Sequence, residues 1–326
     1  MPITRRSLGA AALAGLAAGR AHAQAPTTID VLYCFPAFAR FHEPVAEVFM
    51  KARPDIKVAF RAPAPTYDDG HQAMLRAAVT NQLPDVFYTG FHLQAELVRT
   101  LLRRQQILDL GPLLDAEPAA WREANYAPKI IDLGRVDGRL YGMAFNASTP
   151  LMYFNTELVK QAGGDPASMP NTWNDTIALA QKIRARDANN AGLAYNIHEW
   201  PDDWLFRALI HQGGGNMLNE AGNAVAFGNE VGLRAMQYVR RFVTDAGMPL
   251  IDWDQSRQQF IAGQIGLFFD TPARMRQMTD LIGTRFTLGV TPFPLDDKQK
   301  GGLPTGGNAA IITAREAAKQ RAAWEF

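Results

Sequence analysis

The apolar and polar positions along residues 138–163 set out the plan of the chain. Residues 140–145 alternate bulky apolar side chains with Gly142 and Ala144, the two-residue period of a strand. Residues 151–154 are apolar on both faces, as in a strand covered by helices on either side. Between them lie Asn146, Ala147, Ser148, Thr149 and Pro150, small and polar, closed by a residue with no N–H to give a ladder. Asn155 then offers an N-cap, Glu157 an acidic first turn and Gly163 a stop, so a short helix is expected next.

The same reading carried outward predicts strands over 29–34, 56–60 and 83–88, alternating with helices over 41–52, 68–80 and 93–104. A β-α-β-α-β order implies a parallel sheet with right-handed crossovers. Farther on, Thr172 with Asp175 three residues later resembles a capping box, and Trp173, Ile177, Ala180 and Ile183 fall on one helical face. Helices are expected over 204–212, 232–244 and 255–262, and strands over 265–269, 287–291 and 308–312. Thr271 and Pro272 open another helix with a cap and a proline in its first turn. Thr313 and Glu316 make a further capping box, and the helix they open runs to Phe326 with no stop signal. The fold class expected is α/β, with mostly parallel sheets flanked by helices.

Length and composition narrow the class. With 326 residues, 47% hydrophobic and 20% charged, the chain reads as a soluble globular protein of about two domains. The formal net charge of +1 becomes −2 once Arg5, Arg6 and Arg20 are set aside, because residues 1–23 hold no Lys, Asp or Glu. Neither value makes a nucleic-acid or anionic-membrane surface. Residues 1–23 read as a signal peptide: Arg5-Arg6 in a twin-arginine context, a short apolar run over 8–19, and Ala21-His22-Ala23 as cleavage site. No later apolar run reaches the ~18 residues that span a bilayer. Cys34 is the one cysteine, so neither an internal disulfide nor a lipid anchor is expected, and it reads as a small buried apolar residue. The mature protein is expected to be free in the periplasm.

Residues 145–155, the Phe-x-x-Gly-x-x-Gly run beginning at Phe260, and residues 301–312 resemble hallmark stretches of a known family. That family is the extracellular solute-binding proteins of ABC importers, in the branch taking carbohydrates and glycerol phosphate. The resemblance covers residues 27–326. It implies a two-lobed periplasmic binding protein fold, with the first lobe over 27–146 plus 308–326 and the second over 149–305. Crossing strands near 147 and 306 would join them. It also implies a small solute held in the cleft, hinge closure, a membrane permease as partner, no cofactor, and action as a monomer. Family members continue past the point matching Phe326, so a C-terminal part is expected to be missing.

Open α/β sheets bind ligands at the carboxyl ends of their strands, which nominates the turns at 35–38, 89–91, 146–149 and 270–271. With the resemblance, the expected solute contacts in the first lobe are Tyr67, Thr89, Gly90 and Asn146. Ser148 and Thr149 follow where the chain crosses, and Gly306, Gly307 and Asn308 where it returns. Trp200, Trp204, Asp270 and Thr271 complete the set from the second lobe. Thr89 stands where glycerol-phosphate binders often carry glutamate, keeping hydrogen-bonding capacity without the charge. Residue type alone leaves alternatives open: Tyr67 is equally a surface tyrosine, Trp200 and Trp204 equally core, Ser148 a turn hydroxyl and Thr271 a plain helix cap. For an anionic solute, helices starting at Thr271 and near Phe91 could supply N–H groups without an arginine cluster.

Catalytic patterns fail. His42-Glu43 and His198-Glu199 begin like zinc-protease helices, but Ala46 and Asp202 stand where the second histidine belongs. No Gly-x-Ser-x-Gly elbow exists, and Gly213-Gly214-Gly215 lacks the Lys-Ser/Thr of a phosphate loop. Asp202 and Asp203 are candidate carboxylates of a periplasmic glycoside hydrolase, yet adjacent residues do not readily flank one bond. A metal-binding receptor of the same fold would need clustered His, Tyr and Asp, and the six histidines are scattered. A receptor for a sugar or glycerol phosphate is the reading these residues favour. The export signal makes a first prediction: secretion depends on the twin-arginine pathway and leaves Gln24 as the mature N-terminus. N-terminal sequencing of secreted protein checks this, and retention of residues 1–23 overturns it.

Overall fold

The computed structural model describes residues 25–197, 203–295 and 301–326. The signal peptide, and the segment with His198, Glu199, Trp200 and Asp202, lie outside the described residues. The expected alternation opens the chain: β1 (Thr27–Leu32), α1 (Ala39–Ala52), β2 (Ile56–Phe60), α2 (Tyr67–Thr80), β3 (Val86–Gly90) and α3 (Phe91–Arg103). Three short helices, α4 (Gly111–Ala116), α5 (Ala119–Asn125) and α6 (Pro128–Asp132), and a hairpin of β4 (Arg135–Val136) and β5 (Arg139–Leu140) lead to β6 (Gly142–Ser148). The second sheet and its cover comprise β7 (Leu151–Asn155), α7 (Thr156–Gln161), α8 (Trp173–Arg186), β8 (Ala191–Ala194), α9 (Trp204–Gln212), α10 (Glu230–Thr244), α11 (Trp253–Ile261), β9 (Ile265–Asp270), α12 (Met275–Ile282) and β10 (Leu288–Pro292). The chain then returns to the first sheet through β11 (Gly306–Ile312) and α13 (Ala317–Glu325).

The sheet orders are β2-β1-β3-β11-β6 and β10-β7-β9-β8. Parallel pairing is confined to β2-β1-β3 and to β8 with β9; the other neighbours pair antiparallel. The two-sheet α/β architecture stands, while the expected parallelism holds only where β-α-β units build the sheet. A parallel neighbour needs a crossover that carries the chain back over the sheet, and strands entering from the other lobe have none.

Alternation within β1 explains why the first sheet is apolar on both sides. Ile29, Val31 and Tyr33 join Ala46 of α1 and Ala322 and Ala323 of α13 in one core. Leu32 and Cys34 point the other way, against Met74 of α2, Phe87, and Leu97 and Leu101 of α3. Burial pushes the Cys34 thiol up to about 12, so it behaves as the apolar filler its position suggests. In the second lobe Trp173 is fully buried, with the rings of Tyr195, Phe242, Phe269 and Phe293 at 5.2–5.5 Å. Its indole N–H donates to Gln212 Oε1 at 2.9 Å, so this buried donor is satisfied.

Local caps form where the sequence puts them. The Asn155 side chain accepts from Glu157 N and Leu158 N, and the Thr172 hydroxyl accepts from Asp175 N. The Thr313–Glu316 box does not form. Thr313 is buried at the end of β11, its hydroxyl donates to the Pro84 carbonyl, and α13 starts after Glu316 without a side-chain cap. A carbonyl distant in sequence outbids the local turn, which no short-range pattern reveals. Among the described residues no helix is long and apolar enough to cross a membrane.

His42 ties α1 to the sheet, stacked on Tyr33 at 4.3 Å and on Phe145 at 4.7 Å. Burial pushes its pKa down from 6.5 to about 4. The unfolded chain takes up this proton near pH 6.5 and the folded one only near 4, so stability is whole above that window and is lost as pH falls through it. Replacing His42 with Phe should keep the stack and flatten the acid side of a melting-temperature profile; an unchanged slope overturns the assignment.

Gly307 gives a second test. It sits at φ +116°, and a Cβ there would lie 2.3 Å from the Asn146 carbonyl oxygen. Gly307→Ala should therefore destabilise the protein by roughly 1–3 kcal/mol, the range for a residue forced into such a conformation. Urea unfolding measures it, and a loss under a few tenths of a kcal/mol would show that β11 shifts freely.

Candidate functional site

The chain leaves the first sheet at Ser148 and enters the second at Leu151. On the way back, β11 lays Gly306 opposite Ser148 and Asn308 opposite Asn146. This crossing ribbon gathers much of the expected site. A Cβ on Gly306 would fall 2.9 Å from Trp204 Cε2, so the indole at the start of α9 rests directly on the strand. Asn308 N donates to Asn146 Oδ1 at 2.9 Å, and Asn308 Nδ2 donates to the Tyr67 hydroxyl at 2.9 Å. Gly90 is the partner of Asn308 across the sheet, pressed between the rings of Tyr67 and His92.

Two hydrogen-bonding capacities remain at this junction. Asn308 is buried, and its Oδ1 has no hydrogen-bond partner among the described residues. The Tyr67 hydroxyl accepts from Asn308 and keeps its own proton to donate. Burial pushes that hydroxyl up to about 12 against the easing effect of Asn308, so it stays protonated. A donor and an acceptor side by side suit a solute hydroxyl. Phe35 closes the corner with its ring edge-on to Tyr67 at 4.8 Å and its backbone at φ 65°. A non-glycine residue held there at the carboxyl end of a strand is a strain that the surroundings must impose.

Other expected residues sit apart from this junction. Thr89 is buried within β3, its hydroxyl 3.5 Å from the Gly90 carbonyl. Thr149 is exposed on the crossing turn, and Ser148 is half-buried beside it. Both carboxylate oxygens of Asp270 are engaged: Oδ1 accepts from Thr271 N at 2.7 Å and Oδ2 from Arg257 Nε at 3.2 Å. Thr271 caps the turn Pro272–Arg274 by accepting from Ala273 N at 3.2 Å, and its carbonyl accepts from the Tyr153 hydroxyl. Its cap role is thus present.

The sequence reading missed four titratable groups at the same seam: Asp68, His92, Arg257 and Arg274. Asp68 and His92 stand 4.0 Å apart on the first lobe. Burial raises the pKa of Asp68 and lowers that of His92, and the Asp203 carboxylate of the second lobe acts on both. Asp203 in turn accepts from Arg207 Nε at 2.7 Å. Arg274 reaches from the second lobe to within 5.7 Å of the Phe38 ring centre on the first. Burial, reinforced by Arg257, pulls its pKa down. His92 and Arg274 follow nominated turns by one and three positions, the signal that could have found them; Asp68 stands next to Tyr67, and no local signal marks Arg257.

Comparison with known proteins bears on this arrangement. The sn-glycerol-3-phosphate-binding periplasmic protein UgpB of Agrobacterium fabrum is 21% identical over 197 residues, 58% of this chain and 44% of its own length. The arabinooligosaccharide-binding protein of Bacillus subtilis is 23% identical over 214 residues, 64% of this chain and 46% of its own length. The chain thus spans about half the length of the curated relatives it matches. The solved structure of UgpB from Mycobacterium tuberculosis in complex with glycerophosphocholine is similar at a TM-score of 0.79 and 18% identity, over 91% of this chain and 75% of that one. At that identity the likeness speaks for the two-lobed fold alone. The family described as bacterial extracellular solute-binding protein matches residues 35–326, and this chain belongs to it.

Proposed function

We propose that this protein is the periplasmic receptor of an ABC importer, capturing a sugar or a glycerol-phosphate-like solute between its lobes and delivering it to a membrane permease. The first lobe is 27–146 with 308–326 and the second 149–305, and they close about the crossing strands. The observation that carries this reading is the junction at Asn308. A buried carboxamide oxygen with no partner among the described residues and a tyrosine hydroxyl with a proton to give lie at the strand against which an indole from the opposite lobe rests. Buried polar atoms are otherwise almost always paired, so an orphan acceptor beside an aromatic face is where a polyhydroxylated solute gains most. Around it, Gly90, Asn146, Ser148, Thr149, Gly306 and Gly307 would bring backbone and small polar groups to the solute. Asp270, Thr271 and Thr89 would contribute from its margins, and Trp200 would add a second indole to the solute contacts. The protein acts as a monomer, exported by its twin-arginine signal, and binds without chemical turnover.

Calorimetry against a panel of sugars, polyols and glycerol phosphates tests this, with small-angle scattering before and after ligand. A binding solute should compact the molecule. Trp204→Ala and Asn308→Ala should each weaken binding about tenfold or more, as expected for a lost buried anchor or a solute donor left without its acceptor. No binding across the panel, or binding that leaves the scattering profile and both variants unaffected, would sink the receptor reading.

A further inference from the structure

Charge at the mouth of the cleft carries a narrower conclusion. Phe38 and Phe41 meet edge to face at 5.6 Å at the corner between β1 and α1. Arg40, on the first lobe, lies over Phe41 at 4.8 Å; Arg274, from the second, lies over Phe38 at 5.7 Å. One guanidinium from each lobe therefore flanks a single aromatic pair. Among the described residues neither has a carboxylate within ion-pair distance, and the one polar side-chain partner of Arg274 is the neutral Gln277 at 3.2 Å. The nearby carboxylates are committed elsewhere: Asp270 and Asp254 both pair with Arg257. Burial first and Arg257 next lower the pKa of Arg274, Asp270 and Asp254 act the other way, and Arg40 adds a smaller push downward. Two like charges held near each other on a partly dry aromatic floor are relieved by an anion between them. Guanidinium suits that task because its planar fork grips oxyanions in a bidentate manner.

We propose that Arg40 and Arg274 clamp an anionic group of the bound solute from the two lobes, so that the cleft prefers a solute carrying a compact oxyanion such as a phosphate ester over a neutral one of similar size. The clamp rests on the receptor reading and adds to it the charge of the solute and the residues that read it. Because one arginine belongs to each lobe, the anion completes its contacts only when the lobes approach. Its charge thereby favours the closed form rather than binding both forms equally.

Titration calorimetry of the full chain with sn-glycerol 3-phosphate, glycerol, maltose and inorganic phosphate separates the outcomes. The ester should bind more tightly than glycerol, and its affinity should fall as salt rises. Arg40→Gln and Arg274→Gln should each cut the ratio of ester to glycerol affinity by about tenfold or more, the scale of a charge-assisted contact, and Arg274→Lys should restore part of it. Circular dichroism melts verify that each variant is folded. Neutral solutes bound as tightly as the ester, or a ratio unmoved in both glutamine variants, would overturn the clamp and leave the receptor reading standing. Inorganic phosphate bound as tightly as the ester would make the pair a free-anion site and overturn its part in solute recognition. A chain that binds none of the four overturns the clamp and the receptor reading together.

Discussion

The antiparallel pairing of β6 with β11 holds both lobes in one register, and most of the site depends on it. Asn308 faces Asn146, but the next pair is Ala309 with Ala144, so Phe145 is an extra residue that bulges from the ladder. A bulge bends the strand and turns a side chain out of sequence. Here it sets the half-exposed Phe145 ring against His42 and Tyr88, at 4.7 and 5.1 Å. Gly307 lies in the strand opposite at a backbone angle that a side chain would block. The ribbon therefore specifies Asn308, which in turn positions Tyr67.

A buried ion pair does comparable work in the second lobe. Arg257 and Asp270 are 8% and 1% exposed, and a charge so placed costs several kcal/mol unless it is paired and hydrogen-bonded. Asp270 meets both conditions, with Arg257 on one oxygen and the Thr271 amide on the other. The pair pins the end of β9 to α11, and this fixes the turn from which Arg274 extends. Such a pair adds little net stability relative to a well-packed apolar replacement. Its contribution is to direction: the turn has one place to go.

Much of this was legible in the sequence, and the limits follow from range. The bounds of β2 and α9, and the caps at Asn155 and Thr172, rest on interactions within a few residues, so local pattern found them. The family stretches pointed to a crossing near 147 and 306, and β6 and β11 pair there with Gly306 opposite Ser148. What escaped depends on distant partners. Thr313 looked like a cap until the Pro84 carbonyl claimed its hydroxyl. The three short helices between Gly111 and Asp132 have weak periodicity because each buries little; α5 and α6 bury no residue fully. Arg274 was invisible as a site residue because its meaning lies in Phe38, on the other lobe.

Rings and charges are interleaved across the seam. The first lobe offers Phe35, Phe38, Tyr67 and Asn308, with Arg40, Asp68 and His92 beside them. The second offers Arg257 with Asp270, Asp203 with Arg207, and Arg274. Bringing a charge against an aromatic wall removes water from it, which a weakly hydrated guanidinium tolerates better than an ammonium, and the ring face returns part of the loss. Arginine at 274 is thus the cation that can rest on Phe38 without a carboxylate escort. The link that permits the approach is short: two residues separate β6 from β7, and one is Pro150, whose ring fixes its φ. The proposed closure would find backbone freedom at the glycines at 306 and 307 of the β6–β11 ribbon, where the Trp204 indole rests.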